Sequence, residues 1–539
     1  GPSPIPAKME QEWIKMFGKK IDYRVDQMTI DQIHDVEERF AEAAFRCKLA
    51  GMRAIMLHGA HGHLLGQFVS PYTNKRDDQY GGSLENRARF VLETLDAIRS
   101  RVKNDLILQY RISADELVPE GMKLQDTIDF VKIIEDRIDV LHISAGLITD
   151  PETVSRSWLP TYAPKGINVH YAEKIREKTN IPLSVVGNID IPLADRIIRE
   201  GIVDLVDMVR PLIADTDYVN KYRSGRAEDV RPCIKCNMCS FRVATMRPIR
   251  CSVDPTIGRE LEFPDGTEPS ADAKKKLVVI GGGPGGMEAA LIAAMRGHRV
   301  VLYEREKELG GQLIYAAAEP MKPEMGEYLR WFRRALERQS NVDLVLSKEA
   351  TPDLVRSEEP DAVVVAVGSE PAVPNLPGIN LPNVRNFSDV LLRRVEVKGK
   401  VVVAGAGATG LETAFMLAQE GRAVTVIDKL TIDEIAPELA AHANKPRLLE
   451  LLRQHGVEII TEHLIERITE QGVVVVDRSG NRKTIGADSV VLALGMRPRK
   501  DAASAFKGTA PEVYLIGDCV KPGTVMDAVH QAFNAAVNL

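Results

Sequence analysis

The chain has 539 residues and a formal net charge of -6, with 44% hydrophobic and 27% charged residues. That length predicts two to four domains. So mild a charge gives no reason to expect nucleic acid or an anionic membrane as partner, and no apolar run reaches the roughly 18 residues of a membrane span. Four of the six cysteines cluster, which argues against a disulfide framework and for a reducing, cytoplasmic setting.

From the start, apolar β runs alternate with amphipathic helical stretches. A helix is expected from about Thr29 to Leu49, where Ile33, Val36, Phe40, Ala44 and Cys47 fall at helical spacing. The runs RAIMLHG, LILQYRIS, VLHISAG, PLSVVGN and VDLVDMVR read as parallel strands. Repeated βα units of this size predict an α/β fold, part of a (β/α)8 barrel. Five strands stand where eight are needed. The expectation is therefore strands 4–8 in residues 1–230, with the N-terminal third, roughly a hundred residues, absent or supplied by another segment.

Chemistry in such barrels gathers at the carboxyl ends of strands, and phosphate often sits after the seventh and eighth. Gly187 and Asn188 follow the seventh expected strand, and Arg210 follows the eighth. Their backbone N–H groups and guanidinium suit a phosphate. Arg111 ends the second of the five runs, where its cation would sit beside a flavin ring that gains negative charge on reduction; a structural salt bridge is the alternative. After the first run, His58, His61 and His63 crowd one strand end, together with Arg76, Asp78, Tyr80 and Arg87. Three histidines within six positions at such a rim point to function rather than core packing. A three-histidine zinc site is the weaker reading, because alternate positions need not converge.

Next come Cys233, Cys236, Cys239 and Cys251, spaced C-x2-C-x2-C-x11-C. Three thiols in one tight loop and a fourth just beyond suit a [4Fe-4S] cluster, with one thiolate per iron. Zinc is the main rival, although zinc ribbons usually pair two C-x2-C knuckles. The loop and most of a charged, Pro-containing linker (Glu262 to Lys276) fill residues 231–273.

Two fingerprints follow. In KLVVIGGGPGGMEAALIAAMRGHRVVLYERE, Gly281, Gly283 and Gly286 fit G-x-G-x-x-G and Glu304 stands where a ribose hydroxyl acceptor is needed. In KVVVAGAGATGLETAFMLAQEGRAVTVID, Gly405, Gly407, Gly410 and Asp428 repeat the pattern. Strand, glycine turn, helix, second strand and acid together make a dinucleotide site. LGGQL brings Gly311 and Gln312, and VYLIGDCV brings Asp518 just after a strand. With VVVAVGSEP and VVLALGMRP, these resemble the crossovers of two-dinucleotide flavoproteins. They place FAD on the first half (274–395 and 491–539) and NAD(P)H on an inserted second half (396–490).

In this order the motifs are recognisable. HGAHGHLLGQFVSPYTNKRDDQYGGSLENRARF resembles the signature of the old yellow enzyme class. That segment, the four-cysteine loop and two Rossmann-like domains resemble the bacterial 2,4-dienoyl-CoA reductase and trimethylamine dehydrogenase family. The resemblance implies FMN in the barrel, one [4Fe-4S] cluster and FAD behind it, with electrons passing from NADH through these groups to an activated alkene. It implies that His58 and His61 hold a substrate carbonyl oxygen, and that Arg111, Gly187 and Arg210 contact FMN. The family motif usually reads HGAHGYL, and His63 stands at its proton-donating tyrosine, so either His63 takes over protonation or the proton comes from elsewhere, such as solvent. The expected activity is reduction of an α,β-unsaturated carbonyl compound, whether an enoyl-CoA, a steroid or bile-acid enone, or a phenolic enone. An amine dehydrogenase passing electrons to a partner protein, and an electron-transfer subunit, are the alternatives. A small-molecule substrate is expected, without nucleic acid or membrane, and a homo-oligomer is possible.

Overall fold

The computed structural model describes residues 1–8, 24–263, 274–439 and 443–539. They form two compact units, Gly1–Val209 and Arg210–Leu539. Most of the expected linker lies outside the described residues.

The first unit opens with α1 (Ile30–Leu49), where the periodicity placed a helix. Thr29 caps it: its side chain accepts from Gln32 N–H, and the Gln32 side chain accepts from Thr29 N–H. This reciprocal box satisfies two otherwise orphaned donors. Buried Ile33, Ala41 and Ala44 define its inner face. Then follow β1 (Ala54–His58), α2 (Leu64–Val69), α3 (Leu84–Val102), β2 (Ile107–Ser113), α4 (Leu124–Ile134) and β3 (Val140–Ser144). The unit ends with α5 (Val169–Arg176), β4 (Leu183–Val185), α6 (Ile191–Arg199) and β5 (Leu205–Val206). All five expected strands are present, in one sheet of sequential order, every neighbouring pair parallel. Parallel neighbours need a helical crossover, so all strand ends that carry chemistry emerge on one side.

Register matters more than the strands themselves. His58 pairs with Arg111, Arg111 with His142, and His142 with Ser184. Residues in register on parallel strands face the same side, so these four make one row across the sheet.

The second unit holds two further parallel sheets. One orders as β20-β9-β6-β7-β8, with β6 (Lys276–Ile280), β7 (Arg299–Tyr303), β8 (Val342–Val345), β9 (Ala362–Val365) and the C-terminal β20 (Glu512–Leu515). The first dinucleotide half thus closes with the end of the chain. The other orders as β11-β18-β12-β13-β14. Its strands are β11 (Val384–Asn386), β12 (Val401–Ala404), β13 (Val424–Ile427), β14 (Glu458–Ile460) and β18 (Ser489–Leu492); between the last two in the chain, β15 (His463–Thr469), β16 (Gly472–Asp477) and β17 (Arg482–Gly486) form an antiparallel sheet. This inserted half therefore reaches beyond residues 396–490 on both sides. Two short antiparallel strands, β10 (Ser369–Pro371) and β19 (Met496–Pro498), lead into it and out of it. Helices α7 (Pro284–Met295) and α11 (Ala408–Gln419) follow the two glycine turns; α8 (Gln312–Ala317), α9 (Pro323–Glu337) and α10 (Phe387–Leu391) lie between them in the chain. No helix among the described residues is long and apolar enough to cross a membrane.

Candidate functional site

At the carboxyl end of the first sheet, β1 delivers His58 and the turn into α2 delivers His61 and His63. The His58 and His63 rings lie 4.2 Å apart, and His58 and His61 5.6 Å apart. His58 Nδ1 accepts from Ala60 N–H at 3.3 Å, which leaves the proton on Nε2 in the neutral ring. Burial, then the neighbouring His63 and Arg111 charges, push His58 down to about 3. His58 is therefore a neutral donor.

His61 is buried and held at both nitrogens. Its Nδ1 lies 3.2 Å from the Gly146 carbonyl and 2.7 Å from Ser157 Oγ, and Nε2 lies 2.9 Å from Ser144 Oγ. Gly146 O can only accept, so Nδ1 carries the proton and Nε2 accepts from Ser144. His61 spends its hydrogen bonds inside the protein, and His63 is the ring packed against His58. His63 is exposed at the rim; desolvation by its neighbours, then the Arg111 charge, lower its pKa.

Arg111 donates to Ser144 Oγ at 3.4 Å, while its buried Nε has no partner. His142, next in the row, is 2% exposed; its Nδ1 lies 3.5 Å from the Asp207 carboxylate, and neither ring nitrogen makes a hydrogen bond. Burial, then the Arg111 and His58 charges, push it down to about 3. Sequence reasoning passed over His142. The signal was the local repeat Arg111-Ile-Ser against His142-Ile-Ser in consecutive strands, which the register superposes. Orphaned polar atoms beside a cationic guanidinium fit a planar, polar heterocycle such as the FMN ring.

Other expected residues build the loop instead. Arg76 pairs with Asp78 at 2.5 Å and donates to the Pro2 and Met28 carbonyls. Buried Tyr80 donates to Glu93, and Arg87 to the Val69 carbonyl. Gly187 and Asn188 follow β4 at φ 148° and 55°. The Asn188 amide donates to the Ala163 carbonyl at 2.8 Å.

Arg210 belongs to the second unit, where it donates to Asn237 Oδ1 at 2.6 Å in the cysteine loop. A short helix starting at Arg210 brings its guanidinium to the cysteine loop. Lys235 and Asn237, between the cysteines, adopt left-handed φ of 51° and 60°. These two reversals wrap the loop so that Cys233, Cys236, Cys239 and Cys251 line one cavity. All four are free thiols. Burial pushes Cys233 up to about 11, against the pull of Arg210, and Cys251 up to about 12. Thiolates disfavoured in this way need a strong cationic centre, and a cavity lined by four cysteines fits the four irons of a [4Fe-4S] cluster.

The two glycine turns match part for part. Gly281 and Gly405 take φ of 99° and 104°, open to glycine but strained for L side chains. A Cβ on Gly286 would strike the Gly281 carbonyl oxygen, and one on Gly410 the Gly405 carbonyl oxygen. A Cβ on Gly283 would meet nothing within 4 Å, which leaves the backbone bare toward a ligand. Glu304 accepts from Gly282 N–H at 2.6 Å and Glu306 N–H at 2.8 Å. Asp428 accepts likewise from Ala406 N–H at 2.7 Å and Leu430 N–H at 2.9 Å. Each acid clamps its turn and keeps lone pairs for a ribose hydroxyl. In the second half only, Glu438 accepts from Ala408 N–H at the start of α11, beside Gly407. That is where the pyrophosphate of a dinucleotide would bind.

A cavity of about 910 Å³ runs from the first glycine turn past Gly311, Gln312 and Asp518 to Thr409 and Glu412 of α11. Asp518 accepts from Ser369 Oγ at 2.9 Å and from Gln312 Nε2 at 3.3 Å. The size suits a dinucleotide cofactor with room for a second ring.

Comparison with known proteins agrees with this layout. The sequence profile of the NADH:flavin oxidoreductase / NADH oxidase family matches residues 2–229. That of the pyridine nucleotide-disulphide oxidoreductases matches 275–536. An NADH oxidase of Thermoanaerobacter brockii is 36% identical over 99% of this chain and 80% of its own length. A bilirubin reductase of Mediterraneibacter gnavus is 34% identical over 95% and 79%. The solved structure of a 2-naphthoyl-CoA reductase with 2-naphthoyl-CoA superposes with a TM-score of 0.91 at 31% identity, covering 100% of this chain and 80% of that one.

Proposed function

Because the chain belongs to the NADH:flavin oxidoreductase family, among the iron–sulfur flavoenzymes of the 2,4-dienoyl-CoA reductase and trimethylamine dehydrogenase type, we propose that it is an NAD(P)H-dependent ene-reductase. Its substrate is an alkene conjugated to a carbonyl, as in an enone or an enoyl thioester. The five-stranded sheet is read as strands 4–8 of a (β/α)8 barrel.

FMN, FAD, one [4Fe-4S] cluster and NADH are the cofactors of this reading. When bound they supply hydride chemistry at the flavins and single-electron transfer at the cluster. Arg111 and His142, with the Gly187–Asn188 turn, would hold FMN. Cys233, Cys236, Cys239 and Cys251 would hold the cluster. Gly281, Gly283, Gly286, Glu304, Gly311, Gln312 and Asp518 would hold FAD, and Gly405, Gly407, Gly410 and Asp428 the nicotinamide dinucleotide.

The protein's own groups then do three things. Neutral His58 donates Nε2–H to the substrate carbonyl oxygen and stabilises the negative charge that grows there. Arg111 adds a fixed cation beneath. His63, packed on His58 at the open rim, gives a proton to the α-carbon. The observation that carries the reading is this adjacency, a neutral donor and a titratable donor 4.2 Å apart at the strand ends. The reported relatives, reductases of bilirubin and of a conjugated thioester, favour reduction over amine oxidation.

The test is anaerobic NADH oxidation screened across enones, enoyl-CoA thioesters, acrylates and amines. NADH consumption matched by saturated product supports the reading. Flavin reduction by amines, without NADH-dependent alkene reduction, would sink it.

A further inference from the structure

A charged cluster lines the dinucleotide cavity. Lys322, just ahead of α9, pairs with Glu412 on α11, and the two are 7% and 6% exposed. Beside them, in the connection between α8 and α9, Glu319 is 2% exposed, and both its carboxylate oxygens lack a hydrogen-bond partner. All three line the cavity that holds the glycine turn of the first half. The other charges acting on Glu319 are Arg393, beyond α10, and Glu420, at the end of α11.

An ionised carboxylate buried with neither oxygen bonded is among the costliest arrangements a protein can hold, so such a group takes up a proton instead. Burial pushes Glu319 up to about 8; the Lys322 charge opposes the rise and the Glu412 charge adds to it. A group of that kind is protonated at neutral pH yet able to release its proton there, the condition for efficient proton transfer.

The cavity has a proton to dispose of. Each hydride taken from NADH brings one proton and two electrons. On the proposed function the electrons leave singly toward the cysteine loop, so one proton per NADH stays behind. We propose that Glu319, steadied by the Lys322–Glu412 pair, is the group through which that proton leaves the cavity. Glu319 gives its own proton to solvent, the Lys322 ammonium compensates the transient carboxylate, and the carboxylate then takes the proton left by the hydride. Glu319 is regenerated, NADH has become NAD+, two electrons have left, and the net product is one proton in water. This inference rests on the proposed function, since without NADH oxidation there is no proton to move.

The holoenzyme tests it anaerobically by stopped flow, with NADH, the one-electron acceptor ferricenium and a pH-indicator dye. The wild type is expected to release one proton per NADH in step with turnover. Glu319→Gln is expected to slow release by about tenfold or more without weakening NADH binding. Infrared spectra give a readout independent of turnover. The wild-type minus Glu319→Gln difference spectrum should show a protonated-carboxyl band that vanishes as pH rises through about 8, the contribution of Glu288, likewise pushed up to about 8 by burial, cancelling between the two. Should the Gln variant fail to bind FAD, Glu319→Asp carries the test, with slower release and a displaced band midpoint. Wild-type release rates in Glu319→Gln, an identical infrared titration, or an undisplaced midpoint in Glu319→Asp would each overturn the proposal. A wild-type enzyme that does not oxidise NADH would overturn the proposed function, and this inference with it.

Discussion

His63 is the residue on which the proposed chemistry can be tested most sharply. A histidine that gives a proton to carbon must first hold it as imidazolium. Desolvation of the ring, and then the Arg111 charge, move its pKa below the ordinary 6.5. Both effects disfavour the cation, so the acid form is present at low pH and lost as pH rises through the lowered pKa. Even at the ordinary value, only about a tenth of the rings would carry the proton at pH 7.5, and each further unit removes about tenfold more. With the downward shift the working fraction at neutrality is smaller still. The kcat/KM for alkene reduction should therefore fall with pH along a limb whose midpoint lies below 6.5. His63→Phe should lose about a hundredfold or more in the protonation step, the usual size of general acid catalysis. His63→Tyr should recover activity with a flat profile between about pH 6 and 8, because a phenol titrates near 10. Arg111→Met removes one cause of the shift, so in binding-competent protein the His63 midpoint followed by NMR should move upward. The assay is the pH profile of kcat/KM under anaerobic conditions, with the solvent deuterium effect on the product's α-carbon. An active His63→Phe enzyme with an unchanged profile would remove His63 from the mechanism.

Three further outcomes are expected. Cys236→Ala should lose its iron and acid-labile sulfide and abolish FMN reduction, while NADH still reduces FAD; normal FMN reduction in this variant would rule the cysteine loop out as the relay. NADH should be preferred over NADPH, because the Asp428 carboxylate suits a 2′-hydroxyl and repels a 2′-phosphate; a lower KM for NADPH at equal kcat would reject that role. Glu438→Gln should lower the KM for NADH by up to about fivefold, the scale of one exposed charge at a helix end, since Glu438 occupies the Ala408 N–H; an unchanged KM would mean that the carboxylate does not compete with the pyrophosphate.

The parts of this protein governed by local backbone were legible in the chain itself. A left-handed φ at Gly281 and Gly405, and contact too close for a side chain at Gly286 and Gly410, depend on a few consecutive residues, so the glycine spacing announces both turns. The Thr29–Gln32 box and the five strand runs are local in the same sense. Tertiary structure decided which of the named side chains meet. His142 joins His58 and Arg111 only through strand register, across more than eighty residues of chain, and His61 is drawn inward by Ser144 at the end of β3 and Ser157 in the connection that follows it. Arg210 attends the cysteines because of where its helix begins, and Glu319 meets Glu412 because one half of the dinucleotide-binding unit is inserted into the other. Spacing along a chain fixes the conformation of neighbours. The environment of a charge is set by whatever the fold packs against it, and that depends on residues far away in sequence.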